Sequence, residues 1–474
     1  MAADSTTDIE VVRIPLIGAE TNRSTTASKD MRFVNAYFDL VKNEVTGKAT
    51  FFLVKRPGLS QNIRPPAGNA TARGFTSWNG KVYSCYGDKL YSNTTDLGVT
   101  LTTSTGMCGF ASTRESAGTR YLAITDGVKL FRISTADAVT TVTTIPANTG
   151  DLIYFDGIFF VFGTDGSLWN SAIDDPTTWA VINFITPIMQ NGSEVALARQ
   201  GDFLIAFLTN SFQGFFNNAN PVGPPIENYP QVMKEIGCAS RNSVAGQETM
   251  LFWVGSGQTG GQAVWRMDNP GQAREVSNSS LERILNAETT DIATCNGKFV
   301  RTCGHSFYIL KLTGSDRTFV YDADIEMWFE WQVAGASTAF PIIAYAQHNS
   351  VLLAQHPTNG WIYNVLPTVY QDDSVNFTVL ARLGRVDMDT YLPKFMKSIA
   401  LVGDIQSSTT NVDLQYSDDD YVTLSTARTL DMSLAYPFTP ALGKFNRRAW
   451  QLSYAGSNPL RIESLELRYR LGEL

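Results

Sequence analysis

The sequence predicts a mostly-β protein: a six- or seven-bladed β-propeller with N-terminal strands before it and a C-terminal β-sandwich or barrel domain after it. Three observations carry that prediction. Helical periodicity is almost absent, the middle of the chain repeats, and hairpin-turn dipeptides recur at matching places in the repeat.

In chain order, residues 1–65 read as an N-terminal arm for docking or for a platform, with strands at 11–16, 33–38 and 51–55 and a close at Arg56-Pro57-Gly58-Leu59. Residues 66–367 read as the propeller. Each unit holds a strand, a tight turn, a second strand, and a second turn into an aromatic strand. Examples are Trp78-Asn79-Gly80-Lys81-Val82-Tyr83 followed by Gly87-Asp88-Lys89-Leu90-Tyr91, and Phe155-Asp156-Gly157-Ile158 followed by Thr164-Asp165-Gly166-Ser167-Leu168-Trp169. The second turns, marked by Gly87, Gly127, Gly166, Ser211, Gly261, Ser315 and Gly360, are 40, 39, 45, 50, 54 and 45 residues apart. That spacing is what a four-stranded propeller blade needs. One helix interrupts the pattern at 279–286, with Ser279 placed to cap it, Glu282 three residues on, and Leu281, Ile284 and Leu285 as the apolar stripe. Residues 368–474 change to longer alternating strands, such as 375–382, 398–402 and 412–416. A last pair, 449–454 and 460–469, is joined through Gly456-Ser457-Asn458-Pro459, and the segment reads as a sandwich or barrel domain.

Composition narrows the function classes. The chain has 474 residues, 43% hydrophobic and 17% charged, with a net charge of −8. It is long enough for two or three domains and is neither a disordered nor a coiled-coil composition. Residues 61–370 hold 18 basic and 25 acidic side chains, so the middle is the acidic part, and no basic run suits a protein that neutralises many phosphates. Five scattered cysteines, Cys85, Cys108, Cys238, Cys295 and Cys303, form no Cys-x-x-Cys pair and read as reduced, buried thiols of a protein made in a cytosol. The polar opening, Met1 to Asp8, does not read as a signal peptide, and the apolar stretches are too short to span a membrane.

The motifs that could carry chemistry each have a plainer reading. Gly255-Ser256-Gly257-Gln258-Thr259-Gly260 matches a dinucleotide fingerprint, but a strand rather than a helix follows, so it reads as a hairpin tip. The three histidines, His305, His348 and His356, form no metal pair and read as packing or turn residues rather than catalytic bases. Asp418-Asp419-Asp420 lacks the alternation and the glycine of a calcium loop and reads as a β-turn. Asp322, Asp324 and Glu326 fit a blade strand and its turn. Arg114, Arg120, Arg199, Arg241 and Arg266 occupy no recurring position that would place them at a common rim. No catalytic residue, metal site or cofactor is predicted.

Several segments, taken in order, resemble the tail hub or nozzle proteins of short-tailed bacteriophages, the packaged-DNA stabilisation family. They are Phe33-Val34-Asn35-Ala36-Tyr37-Phe38 with Lys55-Arg56-Pro57-Gly58-Leu59, then Ser211-Phe212-Gln213-Gly214-Phe215-Phe216, Ile236-Gly237-Cys238-Ala239 through Leu251-Phe252-Trp253-Val254, residues 276–285, Val320-Tyr321-Asp322 with Trp328, and residues 448–470. The resemblance covers most of the chain, and residues 217–230 depart from it as a Pro- and Asn-rich insertion. It implies a non-enzymatic virion protein, made in the host bacterial cytoplasm and placed at the tail tip. Six copies would form a ring below the portal-adaptor, extend the DNA channel, help retain packaged DNA and allow its ejection. The implied partners are the adaptor ring, a tail needle or plug, and tail fibres or spikes, with double-stranded DNA passing without sequence-specific binding. An acidic or neutral lining suits a duplex that must slide, so acidic propeller residues are expected to face that channel. Tyr391, Phe395, Phe438, Phe445 and Trp450 are the candidate interface anchors, each set against the alternative that it is simply core. The readings from other classes are a propeller enzyme of the sialidase or glycoside-hydrolase type, and a monomeric binding propeller. The enzyme reading requires an axial pocket with clustered Arg, Tyr and paired carboxylates.

Overall fold

The computed structural model describes residues 9–17, 31–42, 49–115, 118–188, 192–220, 223–247, 249–257 and 260–472. The opening octapeptide, Gln258 and Thr259 of the glycine motif, and residues 221 and 222 of the insertion lie outside them. The chain divides into two compact units, one comprising Met1–Leu59, Met327–Thr338 and Pro367–Leu474, the other Ser60–Glu326 and Ala339–Leu366.

The second unit is a propeller. Its first blade is Ala72–Trp78, Lys81–Tyr86, Lys89–Ser92 and Thr95–Thr100. The second is Gly109–Ser112, Tyr121–Thr125, Leu130–Ser134 and Val139–Val142, and the third Ile153–Phe155, Ile158–Phe162, Leu168–Asn170 and Phe184–Ile185. Glu194–Gln200, Phe203–Leu208, Phe212–Asn217 and Ile226–Lys234 make the fourth, and Ala245–Gln247, Met250–Ser256, Gln262–Asn269 and Gln272–Glu275 the fifth. The last blade is Ala344–His348, Val351–Gln355 and Ile362–Leu366, with Gly58–Ile63 as its outer strand. These are six four-stranded blades. A meander of Asn296–Thr302, His305–Leu312 and Arg317–Asp322 takes its place in the circle between the fifth and the last. The first strand of each sheet lies against the first strand of the next, and Ala344–His348 lies against Ala72–Trp78, which closes the circle.

The blades form where the sequence repeat placed them. All seven marker residues, Gly87 to Gly360, lie in the turn between the second and third strands. The first hairpins turn through consecutive left-handed residues, Asn79-Gly80, Asp156-Gly157, Cys303-Gly304 and Asn349-Ser350. That is the type I′ geometry whose twist matches a hairpin. Ser350 pays for it with φ of 64° on a residue that has a Cβ. Ser350→Gly is therefore expected to stabilise the protein by about 0.5–1 kcal/mol, read as an upward shift in thermal unfolding.

The central strands are apolar on both faces, as strands packed between two neighbours must be. Most of the propeller's core clusters span two adjacent blades. Phe155, Phe160 and Phe162 of the third meet Leu204, Ala206 and Phe215 of the fourth, and Phe207 and Phe212 of the fourth meet Leu251, Trp253 and Met267 of the fifth. The helix spans Ser279–Ala287, and its cap is Asn278 rather than Ser279: the Asn278 side chain accepts from the Leu281 amide at 2.9 Å. Leu281 and Leu285 are buried and Ile284 is half-buried.

The other unit is built from two sheets, and N- and C-terminal strands mix in both. The first orders Ala36–Lys42, Ala49–Lys55, Arg461–Leu471, Lys394–Gly403 and Phe438–Pro440, with Glu10–Pro15 also on Arg461–Leu471 and Lys444–Phe445 on Lys394–Gly403. The second runs Met327–Trp331, Arg32–Val34, Val379–Arg382, Ala449–Tyr454, Asn411–Ser417 and Arg428–Asp431. Phe38 of the first sheet packs against Phe33 and Phe329 of the second, with ring centroids 4.8 and 5.9 Å apart, a sandwich core. The N-terminal strands, read in the sequence as an arm, share this unit with the C-terminal ones.

Candidate functional site

In the two-sheet unit, the two opening motifs meet in one buried knot. Arg56, fully buried, donates from Nε to Asn35 Oδ1 (2.9 Å), from both terminal nitrogens to the Asp372 carboxylate (2.9 and 2.5 Å), and to the carbonyls of Pro57 and Gln332. Asn35 adopts φ of 55°, accepts from the Gln332 amide at 2.8 Å and donates to Thr378 O at 2.9 Å. The Pro-Gly step serves the same knot. A Cβ on Gly58 would lie 2.2 Å from Gln371 O, so only glycine admits this close approach.

Lys55, the residue before Arg56 and the last of the strand Ala49–Lys55, is buried with Nζ 2.6 Å from Gly456 O and over the Phe377 ring. Burial, and then the Arg56 charge, push this ammonium down to about 7 against the opposing pull of Asp372. The unfolded chain holds that proton up to about 10.5. Between those values the unfolded state binds the extra proton, so stability rises with pH across the window and is lowest below it. Denaturant unfolding of the wild type at rising pH is expected to show that slope, and Lys55→Met to flatten it.

The five aromatic candidates separate into two groups. Tyr391, Phe395 and Phe438 are exposed at 72%, 44% and 51%, and Phe438 begins the strand that ends the first sheet. Tyr436 packs beside Phe438 with centroids 5.3 Å apart, and Leu434 is also exposed. Phe445 and Trp450 are buried in the single chain, where the alternative reading of them as core describes their place. Both pack around the Arg448 guanidinium, at 4.6 and 5.6 Å.

Arg448 also explains the acidic triplet. Asp418 receives Arg448 Nε and a terminal nitrogen at 2.7 and 2.8 Å. Asp419 accepts from the Thr423 amide and hydroxyl and from Ser417, which holds its carboxyl down to about 2. Asp420 pairs with Arg447 at 3.5 Å. The turn is an ion-paired corner.

In the propeller, the remaining motifs are used by the blades. Gly255 lies within a strand where a Cβ would come 1.9 Å from Gly237 O, and the following described residues form a strand from Gln262. The glycine there serves blade packing, and the flanking strands pair antiparallel with Ser256 opposite Gln262. His305 Nδ1 meets Asp322 Oδ2 at 2.6 Å, Asp322 accepts from the Asp324 amide, and Asp324 accepts from the Ser306 amide. The trio locks a blade turn. His348 Nδ1 meets Ser77 Oγ at 2.8 Å, between the last and first blades. His356 Nδ1 accepts from the amides of Thr358 and Asn359, and burial pushes its imidazole down to about 4.

Sequence reasoning missed how Arg241 is used. It stands on a short turn before the fifth blade and reaches across the propeller axis, donating to Asp151 Oδ1 (2.7 Å), Gly150 O (2.6 Å) and Met107 O (3.1 Å). Asp151 Oδ2 accepts from the Leu197 amide at 2.8 Å. Beside this crossing is a cavity of about 400 Å³ whose charged lining residues are Asp151, Arg199, Arg241 and Lys298. Among the described residues it offers one carboxylate, where glycoside hydrolysis by a carboxylate pair needs two, and no lining tyrosine.

A family model described as the beta-propeller of bacteriophage P22 Gp10, Phage_stabilise, matches residues 12–369. The chain belongs to this family. It is therefore a phage protein of the packaged-DNA stabilisation type, with a structural role in the virion tail among other virion components. No curated protein matches the chain. Solved structures similar to it include a streptogramin B lyase (12% identity, 65% of this chain and 97% of that one, TM-score 0.44). The N-terminal domain of Nup159 (11%, 70% and 97%, 0.39) and the WD40 propeller domain of Doa1 (9%, 66% and 97%, 0.40) are others. Scores at this level carry no functional assignment. Among the described residues, no helix is long and apolar enough to cross a membrane.

Proposed function

We propose that this chain is the tail hub, or nozzle, of a short-tailed phage: six copies assemble as a ring below the portal-adaptor, extend the DNA channel, help retain packaged DNA and let it leave at ejection. The family match over residues 12–369 carries this reading. The architecture supports it. A closed propeller leaves few free sheet edges and makes a rigid wall. The strand Phe438–Pro440 ends the first sheet beside exposed Tyr436, Phe438 and Phe395; Arg428 holds the Pro440 carbonyl, so the exposed aromatics rather than strand addition are what a neighbouring copy would engage.

The acidic surplus of the propeller segment suits a passage through which a duplex slides, since basic residues there would hold phosphates and release counterions. The tail needle closes the distal end, and fibres or spikes attach to the sides. The chain acts at the tail tip after synthesis in the host cytoplasm, without catalysis. Mixing the purified chain with purified portal-adaptor complexes tests the reading. Sixfold extensions in negative-stain images are the expected result, and bare adaptors beside free monomer would contradict it.

A further inference from the structure

The axial cavity of the propeller has a charge pattern opposite to that of the segment around it. Of the charged lining residues among those described, three are cationic and one is anionic, in a segment where acids outnumber bases 25 to 18. The anion is already committed, because both Asp151 oxygens accept hydrogen bonds, from Arg241 and from the Leu197 amide. Arg241 is committed as well, with all three of its nitrogens donating to Asp151, Met107 and Gly150. Those three bonds use three of its five N–H donors and fix the guanidinium in place, so its main contribution to the cavity is its charge.

Two cations are left with donors to offer. Arg199 spends Nε on Gly201 O at 2.9 Å and lies over Phe155 at 5.2 Å, while its terminal nitrogens have no acceptor among the described residues. Lys298, half-buried on Asn296–Thr302, has an ammonium with no acceptor among the described residues.

We propose that this cavity binds a small dianion, a dicarboxylate or a phosphate, with Lys298 and Arg199 as its hydrogen-bond donors and Arg241 as a fixed positive neighbour. Lys298 is half-buried while Arg199 is exposed, so the cost of a desolvated cation without a partner falls on Lys298, and an anion that supplies acceptors removes it. The charged groups facing Lys298 are Asp151 and Arg241, with Arg199 on the same lining, Cys108 in the wall and Tyr308 on the adjoining strand. Burial, and then Arg241, push the Lys298 ammonium down to about 8 against Asp151. The site holds its full charge below that pH and loses it above.

The test uses the purified chain alone, so its outcome is separate from that of the tail assignment. Succinate and inorganic phosphate are titrated calorimetrically in low salt. Saturable binding of at least one is expected, weakened about tenfold or more in Lys298→Met and weaker at about pH 9.5 than at about pH 7. Acetylation of Lys298 by an N-hydroxysuccinimide ester, read by mass spectrometry on the wild type, is expected to slow when that anion is present. Absence of saturable binding by either anion, equal affinity in a folded Lys298→Met, or acetylation unaffected by the anion would overturn the proposal.

Discussion

Replacing Arg56 by alanine is expected to destabilise the two-sheet unit by about 3–5 kcal/mol, the cost of leaving a buried carboxylate without its partner. The side chains are 0% and 9% exposed in Arg56 and Asp372, and the guanidinium ties together three stretches of chain through Asn35, Gln332 and Asp372. Asp372→Ala is expected to cost a similar amount, because it strands the cation instead. Arg56→Met combined with Asp372→Leu removes both charges and is expected to cost less than either single change, since an apolar pair needs no partner. Denaturant unfolding of the four proteins reads this directly. Single-variant costs below about 1 kcal/mol would show that water reaches the pair and screens it.

Replacing Tyr391, Phe395 and Phe438 together by serine is expected to abolish ring assembly while leaving the isolated chain within about 0.5 kcal/mol of wild type. All three are exposed in the single chain, so folding gains little from them. At the centre of an interface such side chains contribute about 2 kcal/mol or more each, a loss repeated at every contact of a ring. Trp450→Ala is the contrasting variant. Trp450 is fully buried against Tyr416 and Arg448, and its truncation is expected to cost about 3–5 kcal/mol in folding. Sedimentation of the chain with the adaptor separates the two kinds of loss. A triple-serine chain that still forms rings would remove these aromatics from the interface.

The blades were legible because their determinants are local. A hairpin needs particular residues at its turn, and each of the seven spaced markers lies in the turn it marks. The Lys55-Arg56-Pro57-Gly58-Leu59 and Asn35 motifs were visible as family signatures, but their physical reason was not. Arg56 and Asp372 lie 316 residues apart, and only the folded chain brings them within hydrogen-bonding distance. The same limit hid the Arg241–Asp151 crossing, which joins residues 90 apart across the propeller axis. Asp418-Asp419-Asp420 looked like a solvated turn because Arg448, its main partner, is 30 residues away. Among the aromatics, short strands do not reveal which side chain turns inward. Phe438 and Phe445 lie on the two short strands that pair with Lys394–Gly403, yet Phe438 is exposed and Phe445 packs against Arg448, and the two look alike in sequence. The helix cap differed by one residue because Asn278 and Ser279 are both good caps, and backbone geometry decides between them.

Placement in the tail as a ring is tested most directly by imaging of phage particles. Particles from the source lysate, labelled with an antibody against this chain and reconstructed by electron microscopy, are expected to carry label at the tail. Density for six copies should surround an axial channel below the portal-adaptor. Particles whose tails carry no label, or label confined to the capsid, would contradict the assignment.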